Sequence, residues 1–259
     1  MEFGICGNVD SSPLGRAAGW AYIEESVQGL IKAQTPDAEW TGRQRAASSA
    51  LPIRAMNGLV PASLPIVGDA VDEAALATYL NTAIARADSL NVRTLVFGSG
   101  GARHVPAGFS RETARQQIVR FVRNGMPAAQ RHNVTIVVEP LQRGETNIIN
   151  SVAEGMAYVR EVNHPSFQCL VDSYHFWLEG EPLDNLRAAM PWIKHVHVAD
   201  QEGRVWPGLS GKSDYRPFFK VLKEAGYDGL ISVEGKWPDD LPTVAPKVLK
   251  FLQDEWAAA

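Results

Sequence analysis

Short apolar segments recur along the whole chain at intervals of a few tens of residues, and longer segments with helical periodicity lie between them. This alternation is typical of a parallel sheet whose strands are joined by crossover helices. The candidate strands are residues 3–6, 21–24, 53–56, 94–97, 134–139, 168–172, 193–198 and 230–234. Eight strands are what a closed (β/α)8 barrel requires. The sequence therefore predicts an α/β fold, a single TIM barrel that occupies residues 1–259 as one domain.

The length of the chain agrees with this prediction, and its charge balance argues against one class of binding partner. A barrel of this kind usually takes about 250 residues, and the chain has 259. Hydrophobic residues make up 45% of the sequence and charged residues 21%, so the chain can bury a full-sized core. The 25 Lys and Arg residues are scattered and are outnumbered by 29 Asp and Glu residues. This balance argues against nucleic acid as a partner.

Two features of the sequence bear on the cellular compartment. No basic segment precedes a long apolar run after Met1, and no run approaches the ~18 apolar residues of a membrane span. Cys6 and Cys169 each lie in a predicted strand, where we expect buried free thiols and no disulfide. We therefore expect a cytoplasmic protein without membrane contact.

Several helices carry recognisable start and stop signals. Ser151 and Glu154 form a capping box, which predicts that a helix begins just after the loop of the fifth strand. Further helices are predicted over residues 71–89 and 110–131, and another is expected to stop at Gly226. These helices occupy the crossover positions that a barrel requires.

Two loops, residues 98–110 and 201–213, are longer and richer in Gly, Ser and Pro than the others. Because loops at the carboxyl ends of barrel strands build active sites, we expect these two to form a lid or to contact a substrate. The first contains a Gly-rich turn followed by Arg103 and His104, which could receive a phosphate group or be a plain turn. We favour an unphosphorylated substrate.

Four consecutive predicted strands end in, or just before, a residue that can bind a metal ion: Glu139, Asp172, His197 and Glu234. In a barrel, neighbouring parallel strands bring such side chains to one rim, where they can converge. A carboxylate directly after an apolar strand is costly to bury unless it is paired or ligated. Three carboxylates and one imidazole suit Mn, Mg or Co, and Zn is also possible. The sequence thus predicts a site for one divalent ion.

Some polar residues near these strand ends allow more than one interpretation. His195 and His197 face the same side of their strand, and a ligand must lie nearer the carboxyl end, which favours His197. His195 would then lie one layer deeper, either beside the ligands or as a core residue. Glu24 and Asn57, near the ends of the second and third strands, could line the pocket or have a structural role.

These residues lie in motifs that resemble the xylose-isomerase-like barrel superfamily, and within it the sugar isomerases and epimerases typified by ketose 3-epimerases and hydroxypyruvate isomerases. The resemblance runs from Phe3 to the last helix. The most specific motifs are Val138-Glu-Pro-Leu-Gln-Arg-Gly-Glu-Thr-Asn147, Asp172-Ser-Tyr-His175, His195-Val-His-Val-Ala-Asp200, Gly226-Tyr-Asp-Gly229 and Ser232-Val-Glu-Gly235.

The resemblance implies roles for individual residues. It implies that Glu139, Asp172, His197 and Glu234 bind the metal ion, and that Glu139 and Glu234 also exchange the substrate proton. It further implies that Glu145, His175 and Arg204 contact substrate hydroxyl and carbonyl groups. The segment from His197 to Arg204 is one residue longer than the resemblance leads us to expect, so Arg204 could be displaced. The family also commonly associates into dimers or tetramers.

The expected reaction is isomerisation or epimerisation of a small sugar or keto-polyol by proton transfer next to a carbonyl group, through a metal-stabilised enediolate. An alternative on the same scaffold is a metal-dependent lyase or dehydratase that acts on a keto-sugar or keto-inositol and expels a leaving group. A sugar-binding barrel without catalytic activity is a further alternative. Three tryptophans near strand ends could cover a sugar face or pack in the core; they are Trp177, Trp206 and Trp237.

Overall fold

The strands form one closed parallel barrel in a computed structural model that describes residues 1–259. Each strand pairs with the next along the chain, and the eighth pairs with the first. The strands are β1 (Glu2–Cys6), β2 (Tyr22–Ser26), β3 (Ile53–Asn57), β4 (Thr94–Phe97), β5 (Thr135–Val138), β6 (Phe167–Asp172), β7 (Ile193–Val198) and β8 (Leu230–Val233). The predicted (β/α)8 barrel is therefore confirmed.

The observed strand ends lie close to the predicted ones. β4 and β7 have the predicted bounds, whereas β2 continues two residues further, to Ser26. β5 and β8 stop one residue before Glu139 and Glu234, which begin the loops that follow. These small differences leave every predicted ligand at the carboxyl end of its strand.

Helices surround the barrel and cover its outer face. They are α1 (Ser12–Ala17), α2 (Gly42–Ala47), α3 (Glu73–Ser89), α4 (Gly100–Arg103), α5 (Arg111–Arg131), α6 (Val152–Val162), α7 (Ser173–Leu178), α8 (Leu183–Ala189), α9 (Tyr215–Glu224) and α10 (Leu241–Ala258). Short 3-10 segments at Val9–Ser11 and Met190–Trp192 and a π-helical turn at Val27–Ile31 complete the elements. No helix combines the length and the apolar character that a membrane crossing requires.

The predicted capping signals are present with one variation. The Ser151 hydroxyl accepts the Glu154 amide at 3.1 Å, as a capping box requires. The Glu154 carboxylate, however, accepts the amide of Asn150 at 2.7 Å, one residue before the cap. α9 is followed by Gly226 in the left-handed conformation, with φ of 69°, as predicted.

The interior of the barrel is filled by side chains and is polar near its carboxyl end. The ring of Tyr22 lies against Gly4, where any Cβ atom would collide with it. The Tyr22 hydroxyl is 2.8 Å from the Ser232 hydroxyl across the barrel. Cys6 and Cys169 are both free thiols; Cys169 is buried, as predicted, whereas Cys6 is only half-buried. The packing below the rim therefore leaves a layer of polar groups directly under the strand ends.

Candidate active site

The structure brings the four predicted metal ligands together at the carboxyl rim of the barrel. The register places Asp172 of β6 directly beside His197 of β7, and Val198 beside Val233, so Glu234 follows at the same level. Glu139 reaches the group from the end of β5, next to Gly98, where a Cβ atom would collide with its carboxylate. One ligand atom from each of the four residues lies within 4.8 Å of the other three.

The surroundings of this cluster fit a divalent cation. Glu139, Asp172 and His197 are buried, and the side chain of Glu234 is 22% exposed. Nδ1 of His197 is 3.0 Å from a Glu139 oxygen and 3.2 Å from a Glu234 oxygen. Ligand atoms about 2.1 Å from a common ion lie roughly 3–3.5 Å from each other. Oδ2 of Asp172 is buried without a hydrogen-bond partner, which indicates that a cation or a ligand would complete its environment.

The charges in the cluster oppose one another strongly. Burial raises the pKa of Asp172 to about 7 in spite of nearby Arg204. Burial and the Glu234 charge raise the pKa of Glu139. Burial would also raise the pKa of Glu234, but His197 and Arg204 outweigh it and lower that pKa to about 2. Burial opposes protonation of His197, yet the surrounding carboxylates hold its pKa above the ordinary value. Nδ1 of His197 faces the Glu139 and Glu234 carboxylates, so a proton on this atom points to the position where a cation would lie.

A second carboxylate holds the far side of the His197 ring. Oε1 of Glu24 is 2.9 Å from Nε2 of His197, and Oε2 of Glu24 is 2.7 Å from Nε2 of His195. The Ser232 hydroxyl donates to the same Oε2 atom at 2.6 Å. His195 thus lies one layer below the ligands, at the position predicted for it; it is hydrogen-bonded to Glu24, and its ring packs edge-on against the His197 ring, with centres 5.0 Å apart.

Arg204 reaches the cluster, although an extra residue in its loop had suggested displacement. Its guanidinium lies 2.6 Å from a Glu234 oxygen, 3.1 Å from a Glu145 oxygen and 3.5 Å from Oδ2 of Asp172. The guanidinium also lies over the ring of Tyr174, 4.9 Å from its centre. The charged groups therefore form one continuous network, which comprises the four candidate ligands, Glu145 and Arg204.

His175 is placed to donate a hydrogen bond from Nε2 towards this charged network. Its Nδ1 atom accepts the Gln142 amide at 3.1 Å, so the ring proton lies on Nε2. Nε2 is buried without a partner, 3.7 Å from Oδ2 of Asp172 and 4.0 Å from Glu145. Burial and the Arg204 charge lower the pKa of His175 to about 3, which keeps the ring neutral.

The Gly-rich loop after β4 does not offer Arg103 to a phosphate group. Arg103 is fully buried and donates to the main-chain carbonyls of Phe97 at 2.9 Å and Glu139 at 2.7 Å. The possibility that Arg103 binds a phosphate group is therefore wrong, because its guanidinium already donates to main-chain carbonyls at the ends of β4 and β5. Only His104 of that pair is exposed.

The loop after β7 is anchored by Asp200, the last residue of the motif His195-Val-His-Val-Ala-Asp200, for which the sequence predicted no role of its own. The buried Asp200 carboxylate accepts the amides of Gly208 and Ser210 at 3.0 and 2.8 Å, and the Tyr215 hydroxyl at 2.9 Å. Asp200 lies two residues after the end of β7, and its hydrogen bonds to Gly208 and Ser210 fix the later part of the loop that carries Arg204.

The three tryptophans divide between packing and the upper rim. Trp177 packs edge-on against Tyr215, with ring centres 5.0 Å apart, so it belongs to the helix packing. Trp206 and Trp237 are nearly parallel, with 7° between their planes and 6.5 Å between their centres. They lie close in the chain to Arg204 and Glu234, so this pair borders the candidate site.

Two further residues orient groups in the site. Asn57 donates to Oε1 of Glu234 at 2.8 Å, so it contacts the opposite oxygen from the one that Arg204 contacts. The only sequence signal for Glu24 and Asn57 was a polar residue near the end of an apolar strand. That signal pointed to the two residues but did not indicate which groups they contact.

The closed parallel barrel and its rim cluster define a (β/α)8-barrel protein with a candidate cation site. Residues 14–255 match the family described as xylose isomerase-like TIM barrel, and the chain belongs to this family. The L-ribulose 3-epimerase of Methylomonas sp. (strain DH-1) is 32% identical over 130 residues, which cover 50% of this chain and 44% of that protein. The 3-dehydro-D-guloside 4-epimerase of Escherichia coli (strain K12) is 33% identical over 112 residues, which cover 42% and 41%. The matched segments span roughly half the length of these curated relatives or somewhat less.

Solved structures share the fold over almost the whole chain. A structure of L-ribulose 3-epimerase has a TM-score of 0.84 at 20% identity and covers 99% of this chain and 95% of that one. A structure of the 3-keto-D-glucoside 4-epimerase from E. coli has a TM-score of 0.81 at 21% identity, with coverage of 98% and 99%. The relatives of this chain are thus carbohydrate epimerases and isomerases of one barrel family.

Proposed function

We propose that residues 1–259 form one catalytic domain, a divalent-metal-dependent epimerase or isomerase that acts on a small sugar or keto-polyol. The observation that carries this proposal is the group of four ligand atoms within 4.8 Å of one another, next to two buried polar atoms without partners, Oδ2 of Asp172 and Nε2 of His175. A cation and a substrate oxygen are the natural partners for these atoms. The two curated relatives, both named as sugar epimerases, support the same reaction class.

The proposed ion is held by Glu139, Asp172, His197 and Glu234. The oxygen-rich set suits Mn²⁺, Mg²⁺ or Co²⁺, and it would also accept Zn²⁺. When bound, such an ion would supply Lewis-acid stabilisation of the negative charge that develops when a proton leaves the carbon next to a carbonyl group.

Glu139 and Glu234 are the proposed proton-transfer groups. They follow β5 and β8, which are separated on the rim by β6 and β7, so their carboxylates approach the cluster from different directions. Asn57 and Arg204 each hold one oxygen of Glu234, which restricts rotation of its carboxylate. One carboxylate removes the proton and the other returns it on the opposite face in an epimerisation; in an isomerisation a single one performs both steps.

Substrate oxygens would be positioned by Arg204, His175 and Glu145. Arg204 offers a charged donor, and Nε2 of the neutral His175 offers a second donor that has no partner in the protein. The carboxylate of Glu145, 36% exposed, would accept from a hydroxyl group. Burial of the cluster limits water, which strengthens each of these interactions.

The test is solvent deuterium incorporation into a panel of ketoses, aldoses and 3-keto sugars, followed by NMR and mass spectrometry. We expect exchange that requires an added divalent ion and leaves the substrate mass otherwise unchanged. Exchange should be lost in Glu139→Gln and Glu234→Gln but kept in Glu112→Gln, which alters an exposed carboxylate on α5. Exchange together with loss of water or an aglycone would make the protein a lyase instead. Full exchange in either active-site variant would refute the assigned roles.

A further inference from the structure

Glu24 is a buried carboxylate that lies under the proposed metal site without belonging to it. Its side chain is fully buried, and its two oxygens accept hydrogen bonds from groups on two other strands. Oε1 faces Nε2 of His197 at 2.9 Å, and Oε2 faces Nε2 of His195 at 2.7 Å and the Ser232 hydroxyl at 2.6 Å. Both oxygens are therefore in use, and the carboxylate is held in one orientation.

These contacts decide which nitrogen of His197 is free for a cation. A neutral imidazole has one donor nitrogen and one acceptor nitrogen, and the partner of one sets the state of the other. Nε2 faces the carboxylate of Glu24, which can only accept. A proton on Nε2 satisfies that contact and leaves the lone pair on Nδ1, the atom that faces Glu139 and Glu234.

Glu24 is itself supported by a second set of contacts. The Ser232 hydroxyl, which donates to Oε2, also lies 2.8 Å from the Tyr22 hydroxyl, and His195 holds the same oxygen from below. The hydrogen bonds of these side chains go to one another and to Glu24, and none goes to a candidate ligand. Their position indicates that the polar side chains beneath the site hold the Glu24 carboxylate against His197.

We propose that Glu24 is a positioning residue that keeps the proton of His197 on Nε2 and so presents Nδ1 to the divalent ion. This inference rests on the proposed function in that it takes His197 as a ligand. Carboxylates that accept from a ligating histidine fix the ring orientation and increase its basicity, and losing one typically weakens metal binding about 10- to 100-fold.

Glu24→Gln is the informative variant because it preserves size and removes only the charge and one acceptor. The NH₂ group of the amide must face either His197 alone or both His195 and Ser232, and the first orientation is favoured because it opposes one donor instead of two. An NH₂ group facing Nε2 of His197 makes that nitrogen an acceptor and moves the ring proton to Nδ1, where it competes with the ion. We expect Mn²⁺ affinity, measured by calorimetry, to fall about 10- to 100-fold.

Glu25→Gln is the matched control. Glu25 is the next residue on β2 and is also buried, but its carboxylate accepts the amides of Val9 and Ser26, both at 2.8 Å. The same charge is removed from the same strand, with no contact to His197. Mn²⁺ affinity of this variant should stay within about threefold of the wild type, well short of the loss expected when a ligand-orienting carboxylate is removed.

The wild-type protein provides a test that no folding defect can affect. Nitrogen-15 NMR of the Mg²⁺-loaded protein should show a protonated Nε2 and an unprotonated Nδ1 for His197, assigned by the signal lost in His197→Gln. A proton on Nδ1, or unchanged Mn²⁺ affinity in a folded Glu24→Gln variant, would overturn the inference while leaving metal binding intact. A wild-type protein that binds no divalent ion would instead overturn the proposed function, and this inference with it.

Discussion

Replacing Asp172 with Asn should stabilise the metal-free protein at pH 8, even though it removes a ligand of the proposed metal site. Asp172 is buried, and its Oδ1 atom accepts the Tyr174 amide at 2.8 Å, while Oδ2 has no partner. Asn can keep the acceptor for that amide and does not carry the charge. The buried charge is unfavourable without a cation, because burial raises the pKa of Asp172 from 3.8 to about 7.

The size and sign of the effect follow from this pKa. Between about pH 4 and pH 7 the folded protein binds a proton on Asp172 that the unfolded chain has lost, so the free energy of unfolding falls as the pH rises. A change from 3.8 to about 7 corresponds to about 4 kcal/mol once the pH exceeds 7. This pKa already includes the attraction to Arg204, 3.5 Å away, so about 4 kcal/mol is an upper limit that an imperfectly placed amide does not reach. We expect a gain of about 2 kcal/mol for Asp172→Asn at pH 8.

Urea unfolding followed by circular dichroism measures this difference. In EDTA the variant should be more stable than the wild type at pH 8, and the gap should narrow as the pH falls from 7 towards about 4, because the unfolded chain then also binds the proton. Mn²⁺ should reverse the order at pH 8, because a ligand at a thousandfold excess over its Kd stabilises the wild type by about 4 kcal/mol. A variant that is less stable than the wild type in EDTA at pH 8 would refute the reasoning.

Three further predictions concern other groups around the cluster. Because the pKa of His197 is raised, Mn²⁺ binding at pH 7 should release a proton, so the calorimetric enthalpy should change with the ionisation enthalpy of the buffer; the same enthalpy in Pipes and Tris would contradict this. Arg103→Met should lower the free energy of unfolding by about 2–4 kcal/mol in guanidinium chloride, since two charge-assisted hydrogen bonds to carbonyls are lost; an unchanged midpoint would argue against it. Asn57→Ala should reduce kcat about 10-fold and leave Mn²⁺ affinity nearly unchanged, because one hydrogen bond to a charged Glu234 oxygen is removed; a loss confined to Mn²⁺ affinity would place Asn57 with the ligands instead.

The barrel could be predicted from the sequence because its strands are buried on both faces and leave continuous apolar runs. The same property revealed the rim residues. A carboxylate or an imidazole that ends such a run stands out against its neighbours, and the closed register then brings Asp172 and His197 side by side. The four candidate ligands were therefore visible as interruptions of a simple pattern.

Contacts across the barrel could not be predicted in this way. Glu24 is 171 residues from His195 and 173 residues from His197 along the chain, and no local pattern links them. A buried polar residue within an apolar strand shows only that a partner exists. Arg103 illustrates the opposite difficulty. A Gly-rich loop followed by a cation resembles an anion site in the sequence, whereas the Arg103 side chain turns inward and donates to two carbonyl groups.

Arg204 shows why spacing along a loop is a weak guide to position. The segment between His197 and Arg204, which the resemblance led us to expect one residue shorter, contains a turn in which Gly203 and Arg204 both have positive φ, 76° and 51°. The turn is held at its end, because Arg204 accepts the Lys236 amide at 2.7 Å and Val205 accepts the Asp200 amide at 2.9 Å. A non-glycine residue in the left-handed region is unfavourable, so these main-chain bonds and the contact with Glu234 must outweigh that cost. The position of the guanidinium is set by these main-chain bonds and by its partners Glu234 and Glu145, which spacing along the loop does not indicate.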